Sequence, residues 1–232
     1  MRLARQCVLA SVPFLGVFAG VAAGAPAITS QQYMPEGGTN YNNASAIPVS
    51  STDLINGLLP VATNYVGSNE AAGGTAAPFT NGNTGTGTSD PTNNTNSLFQ
   101  VGNEWVVTYQ LPMSPGGYNL TSIVVTTGQQ DARVNQQYDL FVSPDNVTYA
   151  QLNGTFNYSP ATTEGGSAQS TVTDNAGGFL ASGVNFVRFQ ARDNGNGVFR
   201  ELDVNGSPVP EPTSLGLLGA GALGLLARRR RA

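Results

Sequence analysis

The 232-residue chain has ten arginines, fourteen acids, no lysine, no histidine and a formal net charge of −4. Without histidine, and with a lone cysteine near the N-terminus, it has no Ser-His-Asp or Cys-His nucleophile and no usual zinc site. Six arginines lie at the two ends, so residues 27–209 hold four arginines against thirteen acids, a balance of −9 that argues against a nucleic-acid partner.

Abundant Gly, Asn, Thr and Ser with few charges suit a β-rich exported protein with many turns. Met1 to Ala27 reads as a signal peptide. Arg2 and Arg5 form the positive start, Val8 to Val21 the apolar stretch, and Ala23-Gly24-Ala25 or Ala25-Pro26-Ala27 the small-residue cleavage site. Cys7 leaves with it, so the mature core is expected to hold by packing alone or with a bound cation.

Residues 28–49 read as a polar, turn-rich segment, and Thr52 to Gly57 as a short apolar piece ending in a glycine turn. From Gly67 to Ser97 almost nothing suggests burial. So long a loop inside a domain is usually functional or disordered, and its oxygen-bearing side chains with Asp90 could feed a structural calcium site. Trp105, Val107, Tyr109 and Leu111 alternate with polar or smaller residues, which predicts a half-buried strand ending at Pro112. Leu120 to Thr126 reads as a strand buried on both faces. Tyr138, Leu140 and Val142 predict another strand, which Pro144-Asp145-Asn146 turns into a second arm over Val147 to Leu152. Ala161 to Ser170 is polar and Thr171 to Leu180 weakly patterned. Val184 to Ala191 and Val198 to Val204 predict the closing strands. The expected fold is all-β, one antiparallel β-sandwich or jelly roll over residues 50–206, flanked by an N-terminal signal helix and a short C-terminal hydrophobic helix.

The tail has three parts: Val209-Pro210-Glu211-Pro212, an apolar run from Leu215 to Ala227, and Arg228, Arg229, Arg230 and Arg231. The arginines favour the cytoplasmic side of a membrane. Thirteen apolar residues make a helix of about 20 Å against a hydrocarbon core of about 30 Å, a marginal span suited to a temporary hold. This order of parts resembles the PEP-CTERM sorting signal. The resemblance implies export, transient residence in the inner membrane, processing by signal peptidase and an exosortase, and a final place at the cell surface or outside it, often alongside exopolysaccharide and biofilm.

A second resemblance covers roughly Ser50 to Gly206. Asp53 to Gly57, Glu104 to Tyr109, Leu120 to Val125, Asp131 to Ser143, Phe186 to Phe189 and Arg200 to Gly206 follow the order of motifs in discoidin-like domains of the galactose-binding-like group. It implies the jelly roll. The usual cysteine pair and tryptophan-rich spikes are absent from this sequence, so the fold carries over better than any ligand.

Asp131, Asp139 and Glu201 are the carboxylates weighed for glycosidase chemistry, but they show no catalytic spacing, and Glu201 is expected to pair with Arg188 or Arg200. The chain is expected not to be an enzyme. Sugar is gripped by aromatic faces and planar polar side chains, which Tyr65, Phe79, Arg133, Tyr158 and Arg192 could supply; core packing or surface ion pairs are the alternative roles. The leading expectation is a non-catalytic surface protein adhering to extracellular polysaccharide. A structural matrix component and a carbohydrate-active enzyme are the alternatives.

Overall fold

The computed structural model describes residues 22–23, 25–33, 47–64, 77–84, 98–99, 104–129, 134–152, 154–158, 166–192 and 198–210. Their strands, in chain order, are β1 (Ala22–Ala23), β2 (Pro26–Tyr33), β3 (Ala62–Thr63), β4 (Leu98–Phe99), β5 (Trp105–Gln110), β6 (Tyr118–Gln129) and β7 (Gln136–Ser143). Then follow β8 (Ala150–Gln151), β9 (Phe156–Tyr158), β10 (Gly166–Asp174), β11 (Ala181–Val184), β12 (Phe186–Ala191) and β13 (Val198–Pro208). They form the expected antiparallel β-sandwich. In one sheet β6 pairs with β10, β11 and β13, while β2, β1 and β4 extend those three. In the other sheet the order is β3-β5-β12-β7, with β8 and β9 both on β7.

The apolar alternation of β5, β7 and β12 aims Trp105, Val107, Tyr109, Tyr138, Leu140, Val142, Val187 and Phe189 inward, where they meet Leu120, Ile123, Val125, Leu202 and Val204 from the facing sheet. β6 is less enclosed than expected: Leu120, Ile123 and Val125 are fully buried, but Thr121 is exposed and Val124 half-buried. The segment from Val147 to Leu152 contributes only the two residues of β8. Before it, Val147 and Thr148 sit in a turn in which their N–H groups donate to the Asp145 carboxylate, and Asn146 takes φ 64°.

Three strands depart from the expected pattern. Pro26–Tyr33, assigned partly to the signal peptide and partly to a turn-rich segment, pairs with β10 over its whole length. β1 likewise lies within residues expected to be signal helix. Backbone pairing decides here, because β2 packs its half-buried Ile28 against the core while Thr29, Ser30 and Gln31 face water. β10 was hidden by its composition: Ser167, Ala168 and Ser170 are buried although none is large and apolar. Residues 1–21 and the apolar run of the tail lie outside the described residues. Among the described residues no helix is long and apolar enough to cross a membrane.

A further correction concerns Phe79. It sits on a short 3-10 turn, Ala77–Thr80, inside the long stretch that promised no burial, yet its side chain is fully buried. Its ring meets Phe189 at 5.0 Å, Trp105 at 5.7 Å and Phe199 at 6.2 Å, all edge-on. It therefore cannot offer a face to a ligand. Phe79→Ala should lower stability by about 3–5 kcal/mol, since the lost ring leaves a cavity among rigid neighbours. Urea unfolding monitored by Trp105 fluorescence would measure this, and a loss near that of an exposed substitution would contradict the role.

Candidate cation and ligand sites

Three carboxylates meet where β13 passes the segments around residues 53 and 80. Glu201 and Asp203 are two apart on one strand and so share a face. Asp53 arrives from the other end of the chain. Ile55, fully buried, pins its loop, the Leu54 N–H donates to the Val204 carbonyl at 2.8 Å, and Asp53 itself bridges to Asn205. Asp53 Oδ1 accepts from the Ile55 N–H at 3.1 Å and the Val204 N–H at 2.7 Å. One ligand oxygen from each of Asp53, Glu201 and Asp203 lies within 4.8 Å of the others.

Phe79 fixes the third wall. Because its ring is locked in the core, the following residues lie over β13: the Gly82 and Asn83 N–H groups donate to the Glu201 carboxylate at 2.9 and 3.4 Å. The Thr80 hydroxyl donates to the Leu58 carbonyl at 2.8 Å, and the Thr80 carbonyl accepts from the Gly57 N–H. Gly57 takes φ 71°, so the turn after Ile55 needs a glycine there.

The expected pairing of Glu201 with Arg188 or Arg200 does not occur. Arg200 is turned away, its Nε donating to the Gly128 carbonyl and its Nη1 to the Thr84 carbonyl at 2.9 Å. Arg188 lies 3.6 Å over the Tyr149 ring and donates to the Thr108 hydroxyl. Among the described residues, the three carboxylates thus share a half-dry space without a cationic side chain. Burial, and secondly the charge of Asp53, pushes Asp203 up to about 7; burial, with smaller repulsion from Asp203 and Asp53, pushes Glu201 up to about 8; burial alone pushes Asp53 to about 6. The Tyr109 hydroxyl is also pushed up, first by burial and then by the charges of Glu201 and Asp53, with Thr80 opposing.

Asp53 Oδ2 and Asp203 Oδ1 are buried and accept no hydrogen bond. Orphaned carboxylate oxygens are costly unless a cation or a proton meets them. An all-oxygen set with three acids suits a hard divalent ion such as calcium. The residues therefore fit calcium, at a place other than the Asp90 loop, which lies outside the described residues.

The sugar-binding candidates fare unevenly. Tyr65 and Arg133 lie outside the described residues, and Phe79 is core. Tyr158 and Arg192 come to one rim: Tyr158 pairs with Gln136 at the start of β7, and the Arg192 N–H donates to the Gln137 carbonyl at 2.8 Å. Tyr158 is half-buried and roughly parallel to Phe156, with ring centroids 6.4 Å apart. Arg192 bridges Glu104 at 2.7 Å and the buried Asp139. Asp139 is therefore engaged in the second sheet and does not join the carboxylate cluster; Asp131 lies outside the described residues. Asp53 and Asp203 were missed because no local pattern marks a pair drawn from opposite ends of the chain. The only trace is the Glu-x-Asp spacing on β13.

The class of protein so defined is an antiparallel β-sandwich with a separate C-terminal address. Residues 208–231 match the PEP-CTERM protein-sorting motif. A comparison with curated proteins found no match. Among solved structures the chain is similar to an allantoicase (TM-score 0.46, 14% identity, 69% of this chain and 45% of that one), so it spans under half of that protein. It is also similar to the lectin domain of lectinolysin solved with Lewis B antigen (TM-score 0.43, 13% identity, 68% and 99%). A third likeness is to a carbohydrate-binding module from Clostridium perfringens solved with GalNAc-β-1,3-galactose (TM-score 0.38, 14% identity, 78% and 95%). None lends this chain a ligand.

The raised carboxylates set a pH dependence. Their folded pKa values of about 6, 7 and 8 exceed the ordinary 3.8 and 4.5, so the folded state binds more protons than the unfolded one. Raising the pH through this window strips those protons and lowers the stability of the metal-free protein. Thermal unfolding in chelator should give a lower Tm at pH 8 than at pH 5, and added calcium should raise Tm more at pH 8. Glu201→Gln should diminish the calcium increment. An equal calcium effect at both pH values would contradict the linkage.

Proposed function

We propose that this is an exported surface protein, sorted through its PEP-CTERM tail by an exosortase, whose sandwich binds extracellular carbohydrate without catalysing a reaction. The tail match over residues 208–231 carries the sorting half of the reading. The binding half rests on the residue types that the start of β7 gathers at one rim: Tyr158 from β9, and Arg192 after β12, held by Glu104 and Asp139. Sugars are gripped by aromatic faces and by planar polar side chains, and this rim supplies one of each. Calcium at Asp53, Glu201 and Asp203 is a structural element of this reading, joining the chain's beginning to its last strand. Polysaccharide of the surface matrix is the proposed partner class.

The carboxylate cluster does not favour a glycosidase. Its oxygens crowd within 4.8 Å and are largely buried, whereas glycosidase carboxyls flank an open cleft across a bound sugar. A matrix protein without a specific ligand is the second reading, because the ion pairs around Arg192 also serve simply to seal β7 to the start of β5.

A glycan array would test the binding, using residues 26–209 so that β2 is intact. Saturable binding is expected, weakened roughly tenfold by Tyr158→Ala if its ring stacks on sugar. No binding to any glycan, in calcium or in chelator, would favour the matrix reading. For sorting, mass spectrometry of the mature surface protein should find Arg228 to Arg231 gone. Intact arginines there would sink the processing step.

A further inference from the structure

The sandwich has two unlike ends, and the chain leaves through one of them. Gln110, at the end of β5, and Ser143, at the end of β7, both pair with Phe186. At the same end, Tyr118 pairs with Val184 and with Pro208, the last residue of β13. The Val209 N–H donates to the Gly117 carbonyl at 2.9 Å, and a Cβ on Gly116 would lie 3.0 Å from the Val209 side chain. The start of the sorting motif is thus seated on the β5–β6 turn.

This exit end is apolar at its tips. Met113, in the β5–β6 connection, is 96% exposed, Val147, after β7, is 82% exposed, and Phe179, between β10 and β11, is 49% exposed. A cleft of about 250 Å³ between Leu111, Pro112, Met113, Pro115 and Phe186 opens beside them. Such tips have no role in the sandwich, whose core lies behind them.

The tether decides what they meet. From Pro210 to Leu215, where the apolar run of the tail begins, five residue steps reach at most about 17 Å when fully extended. Once that run enters a bilayer, this end of the sandwich must lie close to the membrane surface.

We propose that, while the tail is held in the bilayer, the exit end rests on the lipid surface with Met113, Val147 and Phe179 dipping into the interface. The contact is apolar rather than electrostatic. Among the described residues no arginine lies at this end. The two acids described there, Asp145 and Asp174, are tied to backbone N–H groups of Val147, Thr148, Ala176 and Gly178. Anionic lipid is therefore not required. The inference rests on the reading of the tail as membrane-inserted and adds to it an orientation for the domain.

The test uses the full chain with Cys7→Ser, reconstituted into phosphatidylcholine vesicles. Single cysteines replace Met113, Val147 or, at the opposite end, the exposed Asn157, and each carries an environment-sensitive fluorophore. The expected result is blue-shifted emission at 113 and 147, quenched by nitroxide-bearing lipid, with neither effect at 157. Labels at 113 and 147 that stay water-like and unquenched in vesicle-bound protein would overturn the orientation while leaving tail insertion intact. Equal quenching at all three sites would overturn it too, as would protection that arises only when an exosortase is added, which would point to a protein partner. Protein that does not float with the vesicles at all would overturn the inserted tail and the orientation together.

Discussion

Phe79 links the interior of this protein to the place where its charges gather. The ring is surrounded by Trp105, Phe189 and Phe199, drawn from both sheets, and those rings also contact one another and Tyr138. With a single cysteine in the sequence, no internal disulfide can form, and such packing must fix what a covalent bond would otherwise fix. The ring is the only large apolar side chain in its short segment, so the position of Gly82 and Asn83 over Glu201 depends on it. Core and carboxylate cluster are in that sense one construction.

A second constraint joins the sheets with polar atoms. The Gln136 amide on β7 donates to the Val125 carbonyl, the Thr127 hydroxyl and the Ala168 carbonyl, while its oxygen accepts from the Ser170 hydroxyl at 2.6 Å. Tyr138 and Ser170 share a further hydrogen bond. Burial raises the Tyr138 hydroxyl well above its ordinary pKa, so it remains a neutral partner. A buried network in which each member is satisfied specifies one register between the sheets; an apolar patch would permit several. It also explains why Ala168 and Ser170 of β10 are small: larger side chains there would displace the glutamine.

That network marks the boundary of what could be read from the sequence. β5, β7 and β12 were legible because large apolar residues alternate there, and the turn at Pro144 to Asn146 because its residue types suit the conformation they adopt. β10 and β2 were not, since their pairing is satisfied by backbone and their side chains are small or polar. The same physics hid much of the site. Tyr158 and Arg192 could be named as residue types, but only the pairing of β9 and β12 with β7 brings them to one rim. Phe79 carries no periodic signal, being a single ring among glycines, asparagines and threonines. Asp53 and Asp203 become neighbours only when the first loop docks on the last strand.

The two candidate surfaces lie at opposite ends of the sandwich. Val209 leaves beside Gly116 and Gly117, whereas Tyr158 and Arg192 stand where β7 begins and β12 finishes, at the opposite end. A domain resting on its exit end would therefore hold that rim away from the membrane. Engagement of the rim and processing of the tail then make no competing demand on the same surface. Because β13 runs from the carboxylate cluster to the start of the sorting motif, a cation bound at Glu201 and Asp203 would also steady the strand that leads into the tail.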